Sequence, residues 1–477
     1  MYIIGLDVGT SSVKAALLSR DGNVQTCRAM YPEGLRVSPE GWVAAISDAV
    51  KEITYFVDKT LVEGIGLTTQ VGTYLLYRED ATNLPVYGWN EGGAESQLED
   101  LLYERDREFY IENISMFHPK LISYPAPRIR WFQEERSRQW AACEKLLAPK
   151  DYLYKVLTGC VCSDIYTWNG LVKLPEGIIT EDVLELLNIK RDKLPEIYDA
   201  FDAPGSLCHA SAALLDLPEG IPVYLGCNDS HSSLAGMGVT SVGQNFDITG
   251  TSEHVGMITS DIIGDEDVIC APFFSGHMTF GVNQSAGSSI DWGFETFGYD
   301  EKAIFSIYEK TQADECKPPI FLPYLRGERA PIWDSNAKGV FFGLSDTTTR
   351  QEMMYSVLEG VVFSVKHMWS MLPTGSEENR TMRIGGGAAS NDFLNRIKAD
   401  ILGYTLERPS EKQSGALGAA LIGAVGAKWY ENLTAGANNI ISVETTVEPH
   451  IINGNLLRRF DVYRSLYPKL RSVFQVW

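Results

Sequence analysis

Gly226-Cys227-Asn228-Asp229-Ser230-His231-Ser232-Ser233-Leu234-Ala235-Gly236 sets one carboxylate among glycines and small residues near the middle of a 477-residue chain. The apolar run Ile221 to Leu225 leads into it and reads as a short buried strand; Ser232 to Met237 reads as the first turn of a helix. Asp229 therefore falls on a strand-to-helix loop, where α/β proteins place their ligands. A carboxylate there, with little bulk around it, can meet a hydroxyl group and take its proton. The alternative from local sequence is that Asp229 caps the helix, a common position for Asp.

Outward from this stretch, the chain shows one pattern twice. Tyr2 to Asp7 reads as a strand, Gly9-Thr10-Ser11-Ser12 as a turn and Val13 to Leu18 as a returning strand. Asn245 to Thr249, Gly250-Thr251-Ser252 and Glu253 to Ile258 repeat strand, Gly-Thr-Ser turn and strand about half a chain later. Such tips offer N–H groups and hydroxyls without bulk, which suits a phosphate. The repetition suggests an internal duplication, with two related halves, 1–238 and 239–477, each offering a hairpin to a shared cleft. The length agrees, since 477 residues exceed one ordinary core.

Composition narrows the partners. A formal charge of −21 argues against nucleic acid and anionic membrane surfaces. It also requires an anionic ligand to be met by backbone N–H groups, helix N-termini or a divalent cation. The chain opens on a strand-like run rather than a basic, then apolar, leader, and Leu417 to Ala427 is far short of a membrane span, so a cytoplasmic location is expected. Eight scattered cysteines without paired Cys/His spacing read as free thiols rather than zinc ligands.

Further motifs carry chemistry or core. Ser38-Pro39-Glu40 opens a helix whose apolar face is Trp42, Ile46, Ala49, Ile53 and Val57. Ile65 to Thr69 is a buried strand ending at Gln70-Val71-Gly72-Thr73, and Trp89-Asn90-Glu91 joins a stacking ring to polar groups that can bond sugar hydroxyls. Thr349-x-x-Glu352 is a capping box before a core-facing helix. Met382 to Ile384, Gly385-Gly386-Gly387-Ala388-Ala389-Ser390-Asn391 and the amphipathic run from Phe393 form a strand, glycine loop and helix that can cradle a nucleotide. Neither Gly-x-Gly-x-x-Gly nor a P-loop is present, which disfavours those two nucleotide sites. The small-residue helix Ser414 to Val425 is expected to pack against the glycine loop.

Together these pieces resemble the FGGY family of carbohydrate kinases, most closely its xylulokinase-like branch, over nearly the whole chain. The resemblance rests on Gly5 to Thr10, Ala148-Pro149-Lys150-Asp151-Tyr152-Leu153, Gly226 to Gly236, Gly250-Thr251-Ser252, Phe321 to Pro331, Gly339 to Leu344 and Gly385 to Ala388. It implies an α/β chain of two actin-like, ribonuclease-H-like domains with a catalytic cleft between them, binding ATP and Mg2+. By position it implies Asp229 as general base, Asp7 with Asp229 near the metal, and Gly9, Thr10, Ser11, Lys14, Gly250 and Thr251 on the phosphates. Trp292, Gly386, Gly387 and Asn391 fall on the nucleoside side; Gln70, Val71, Trp89, Asn90 and Ser230 fall on the sugar side.

Three positions depart from that pattern. Gln-Met-His-Gly is replaced by Gln70-Val71-Gly72-Thr73, Trp-Asn-Asp by Trp89-Asn90-Glu91, and Gly-Thr-Ser-Gly by Gly250-Thr251-Ser252-Glu253. The expected activity is transfer of the γ-phosphoryl of MgATP to a small sugar or polyol, most simply a ketopentose such as xylulose; the sequence leaves the oligomeric state open, with a homodimer as one candidate. Gluconate, L-fuculose, L-ribulose and glycerol are alternative acceptors, and an actin-like ATP-driven binding protein is the alternative class. His231, beside the expected base, is read as a bystander.

Overall fold

Two hairpins of the same build set up the structure, a computed structural model that describes residues 1–81, 84–264, 267–373, 379–450 and 454–476. The chain divides into two compact units. The first comprises Met1–Thr240, Ala271–Phe274 and Gln413–Ser442; the second comprises Ser241–Cys270, Ser275–Lys412 and Val443–Trp477.

In the first unit the strands run in the spatial order Gly205–Ser206, Pro222–Asn228, Val62–Thr69, Tyr2–Val8, Ser12–Ser19 and Val24–Met30. The last three form an antiparallel meander, while Pro222–Asn228, Val62–Thr69 and Tyr2–Val8 are mutually parallel. Val8 pairs with Thr69, and Thr69 with Asn228. Three parallel strands therefore end at one level, and the residues after them, Gly9, Gln70 and Asp229, emerge at the same edge, where open α/β sheets bind ligands. Parallel strands covered on both faces read as near-continuous apolar runs, as Ile3, Ile4, Leu6 and Val8 do, all buried.

The helix Pro39–Ile53 covers one face. Ser38 caps it by accepting from the Gly41 N–H, Pro39 occupies the first turn, and Trp42, Ile46, Ala49 and Ile53 enter the core as their spacing requires. The helix Ser414–Gly426 covers the other face. A β-carbon on Gly5 would lie 2.1 Å from the Ala416 carbonyl oxygen, and one on Gly66 2.1 Å from that of Ala419. Helix and sheet thus touch backbone to backbone, which explains the run of glycines and alanines. The partner of this helix is the first unit's sheet, not the Gly385–Asn391 loop, so residues 413–442 leave the C-terminal half expected from the duplication and complete the first unit.

In the second unit the neighbouring strands are Gly276–Val282, Glu253–Thr259, Asn245–Thr249, Thr381–Gly385, Thr405–Pro409 and Val443–Val447. Asn245–Thr249 and Glu253–Thr259 form the second hairpin, and Thr381–Gly385 lies parallel to the first of these, pairing Ile248 with Gly385. The helix Arg350–Met371 carries the capping box read from Thr349 and Glu352, and buries Met354, Val357, Leu358, Val361, Val365 and Met368.

No helix among the described residues is long and apolar enough to cross a membrane, and all eight cysteines are free thiols. Replacing Gly66 by valine should destabilise the protein by about 1–3 kcal/mol, the range for overpacked cores, because the Ala419 carbonyl cannot retreat without moving the helix. Urea unfolding monitored by circular dichroism measures this as a lower midpoint.

Candidate active site

Asp229 opens the helix Asp229–Gly236 but does not cap it. Asn228 takes the cap, its side chain accepting from the His231 N–H. The carboxylate is thereby released for another use. Its Oδ1 accepts from the Ser230 N–H at 2.9 Å and from the Val71 N–H at 3.3 Å, and the side chain stays partly exposed at the strand ends. Burial, and then the negative charge of Asp7, push its pKa up to about 7 against the pull of those N–H groups. A carboxyl that titrates near neutrality is matched to proton acceptance at physiological pH.

Asp7 sits deeper, 5% exposed, with Lys14 donating to its Oδ2 at 3.3 Å from the paired strand. Burial raises its pKa, opposed by Lys14. A β-carbon on Gly415 would stand 2.6 Å from Asp7 Oδ2, so this glycine is required for the helix to pass the carboxylate. Gly9, Thr10 and Ser11 form the adjacent tip, with the Gly9 N–H donating to the Ser12 carbonyl at 3.2 Å. Gln70 is buried at the end of its strand, its N–H donating to Val8 O at 3.4 Å. Thus Asp7, Gly9, Thr10, Ser11, Lys14, Gln70, Val71, Asp229 and Ser230 gather in one place.

Two departures in this unit have structural explanations. Gly72 adopts a φ of +73°, and a β-carbon there would lie 2.8 Å from Ser123 Cβ, so Ser123 takes the room a larger side chain would need. Trp89 and Asn90 occupy an exposed turn closed by the Glu91 N–H to the Gly88 carbonyl at 3.1 Å, while Glu91 Oε1 accepts from the Gly88 N–H at 3.0 Å. The longer carboxylate therefore folds back to stabilise its own turn. Beneath it lies Arg128, fully buried, donating from Nη2 to the carbonyls of Gly88 and Glu91. Nothing in the local sequence marks Arg128 for that contact. His231 is a core residue: its Nε2 donates to the Pro272 carbonyl at 2.8 Å, and burial lowers its pKa to about 4.

The second unit holds a cavity of about 460 Å3 lined by Thr249, Gly250, Thr251, Asp291, Phe294, Gly387, Ser390 and Asn391. That size suits a small ligand. Gly386 lies behind the wall with a φ of +85°; a β-carbon there would meet the Thr249 carbonyl at 2.3 Å, so the loop can lie this close to the hairpin only with glycine. Asn391 caps the helix Asp392–Leu402 through Leu394 N–H while lining the cavity. Trp292 does not reach the cavity. It stacks on Phe321 at 5.8 Å within the aromatic core, and Asp291 and Phe294, on the same helix, line the wall instead. Helical periodicity turns Trp292 to the opposite face from the expected one.

Comparison with known proteins gives the family. The model of the FGGY N-terminal domain of carbohydrate kinases matches residues 2–236, and that of the C-terminal domain matches residues 247–427. The chain belongs to the FGGY family of carbohydrate kinases. The xylulose kinase of Klebsiella pneumoniae is 30% identical over 89% of this chain and 90% of its own, and that of Staphylococcus xylosus 26% over 98% and 99%. Among solved structures, a ligand-bound xylulose kinase from Lactobacillus acidophilus superposes with a TM-score of 0.88 at 22% identity, and a gluconate kinase from the same organism with 0.86 at 22%, each covering 99% of both chains. This FGGY chain is a sugar kinase, a phosphotransferase with an alcohol group as acceptor, which sets aside the actin-like binding protein.

In this FGGY kinase the third departure, Glu253, turns into the second unit. It is wholly buried and accepts from Thr249 Oγ1 at 2.7 Å and from Lys398 Nζ, which also donates to Asp247 Oδ2 at 2.7 Å. Two carboxylates share one ammonium. Burial and the nearby Asp247 push Glu253 up to about 8, so it keeps a proton in the folded state that it loses near 4.5 when unfolded. Its contribution to stability therefore falls as pH rises from about 4.5 to about 8. Glu253→Gln, which mimics the protonated form, should leave stability at pH 7 within about 1 kcal/mol and flatten that slope. Lys398→Met, which leaves the buried Asp247 carboxylate without its cation, should cost about 3–5 kcal/mol. Urea unfolding of both variants across this pH range measures the contrast.

Proposed function

We infer that the chain transfers the γ-phosphoryl group of MgATP to a hydroxyl of a small sugar, with a ketopentose of the xylulose type as the acceptor favoured by its relatives. The observation that carries this reading is Asp229, partly exposed at the ends of three parallel strands and titrating at about 7. Its carboxylate orients the acceptor hydroxyl and takes the proton as the oxygen attacks. The N–H groups of Val71 and Ser230 hold Oδ1, so the carboxylate is aimed before substrate arrives. Gln70, Val71, Trp89, Asn90 and Ser230 form the sugar side.

The part of the chain up to about residue 238 supplies the base and acceptor side, and the part from 239 supplies the nucleotide cradle of Gly250, Thr251, Gly387 and Asn391. Mg2+ suits the donor set. It is commonly held by one or two carboxylates together with substrate phosphates, and Asp7 and Asp229 are close enough for one charge to raise the other's pKa. Among the described residues no three His, Cys, Asp or Glu side chains form a protein-only cage. When bound, the metal would neutralise charge on the phosphates; Asp7 and Asp229 would hold it.

The tight Gly72–Ser123 contact favours a second set of acceptors, since the side chains expected at 71 and 72 for xylulose are missing. L-Ribulose, L-fuculose, glycerol and gluconate belong to that set. A panel of these compounds and D-xylulose with MgATP, read as ADP formation above the sugar-free rate, decides among them; no response to any acceptor sinks the sugar-kinase reading.

For the base, Asp229→Asn should lower sugar-dependent kcat by about 10²–10⁴-fold while ATP still binds. Only the ionised form accepts a proton, so wild-type kcat/KM for the sugar should rise with pH through about 7 and level off above it. That limb should vanish in the variant. Near-normal turnover by Asp229→Asn removes Asp229 from the mechanism.

A further inference from the structure

The loop between Val24–Met30 and Pro39–Ile53 places a cation on the first hairpin, outside every stretch that carries the family resemblance. Arg36 Nε donates to the Thr10 carbonyl at 2.8 Å, and Nη2 donates to Ser11 Oγ at 2.9 Å. From the same loop, the Tyr31 hydroxyl donates to the Gly9 carbonyl at 2.5 Å. Two successive tip carbonyls are thus occupied on the loop side, and among the described residues no bond is made by the Thr10 and Ser11 N–H groups. Consecutive free N–H groups of this kind make an anion-binding concavity.

The bond to Ser11 has a second effect. An oxygen that accepts from a guanidinium must direct its own hydrogen elsewhere, so the Ser11 hydroxyl is set up as a donor. The charges differ as well. Lys14 is paired with Asp7, whereas Arg36 bonds, among the described residues, only to uncharged oxygens. Its side chain is exposed, and with Nε and Nη2 engaged, Nη1 remains for a ligand. Arg28 likewise pairs with no carboxylate among the described residues, but its Nε donates to Ser12 Oγ at 2.9 Å on the returning strand, so Arg36 is the unneutralised cation on the Thr10–Ser11 tip itself.

We propose that Arg36 contacts the terminal phosphoryl group of the nucleotide at the Gly9–Ser11 tip and steadies its charge during transfer. This rests on the kinase reading above. A planar guanidinium matches phosphate oxygens better than an ammonium does, so lysine should replace it poorly.

The test uses the full-length protein with Arg36→Gln and Arg36→Lys, after thermal melts show both folded. Titration calorimetry with Mg2+ compares ADP with the non-hydrolysable β,γ-imido analogue of ATP. Arg36→Gln should weaken the analogue about tenfold more than ADP, a difference confined to the third phosphate. Sugar-dependent kcat should fall about 10²–10³-fold, the range for loss of one preorganised donor, with the KM for sugar unchanged and Arg36→Lys intermediate. Equal weakening of ADP and analogue, or no change in either, overturns the proposal and leaves Arg36 as a strut of the loop. Wild-type protein that turns over no acceptor defeats the kinase reading instead, and the binding ratio, which needs no turnover, still decides Arg36.

Discussion

Parallel pairing in one register is the constraint on which the candidate site of the first unit depends. Because Val8, Thr69 and Asn228 lie side by side, the Gly9–Ser11 turn, the Gln70–Val71 corner and Asp229 must emerge together. A slip of one residue along Val62–Thr69 would carry each side chain to the opposite face and remove the Val71 N–H from Asp229. The second unit applies the same logic through Ile248 and Gly385, which bring the Gly250 turn beside the glycine loop. Each cradle is backbone first, with side chains added at the edge.

Electrostatics follow from that placement. Bringing strand ends together puts Asp7 and Asp229 near each other, and their repulsion with burial shifts Asp229 toward neutrality. The same device appears in the core of the second unit, where Asp247 and Glu253 share Lys398. One acidic pair has a partly exposed member and suits proton transfer; the other is sealed and serves structure. Solvent access separates their roles.

Much of this was legible in the sequence. Both hairpins, the cap at Ser38, the capping box at Thr349 and the strand-to-helix position of Asp229 are local patterns of turn residues and apolar spacing, and they appear where the residues place them. What escaped reading depends on contacts between residues distant in the chain. Lys398 meets Glu253 across 145 positions, Arg128 meets Glu91 across 37, and Ser123 fills the space beside Gly72. No local pattern announces such partners. Trp292 was misplaced for a different reason: its motif fixes its position along the helix, but the aromatic core of Phe321 and Phe341 determines which way it turns.

The backbone-to-backbone seating of the Ser414–Gly426 helix has a consequence for synthesis. Gly5 and Gly66 leave the ribosome about 410 and about 350 residues, respectively, before the helix that covers them. The early strands can bury the face that Pro39–Ile53 covers as they emerge, but not the other. Folding of the first unit is therefore committed late, and its opening strands must wait, half-clothed, for that helix.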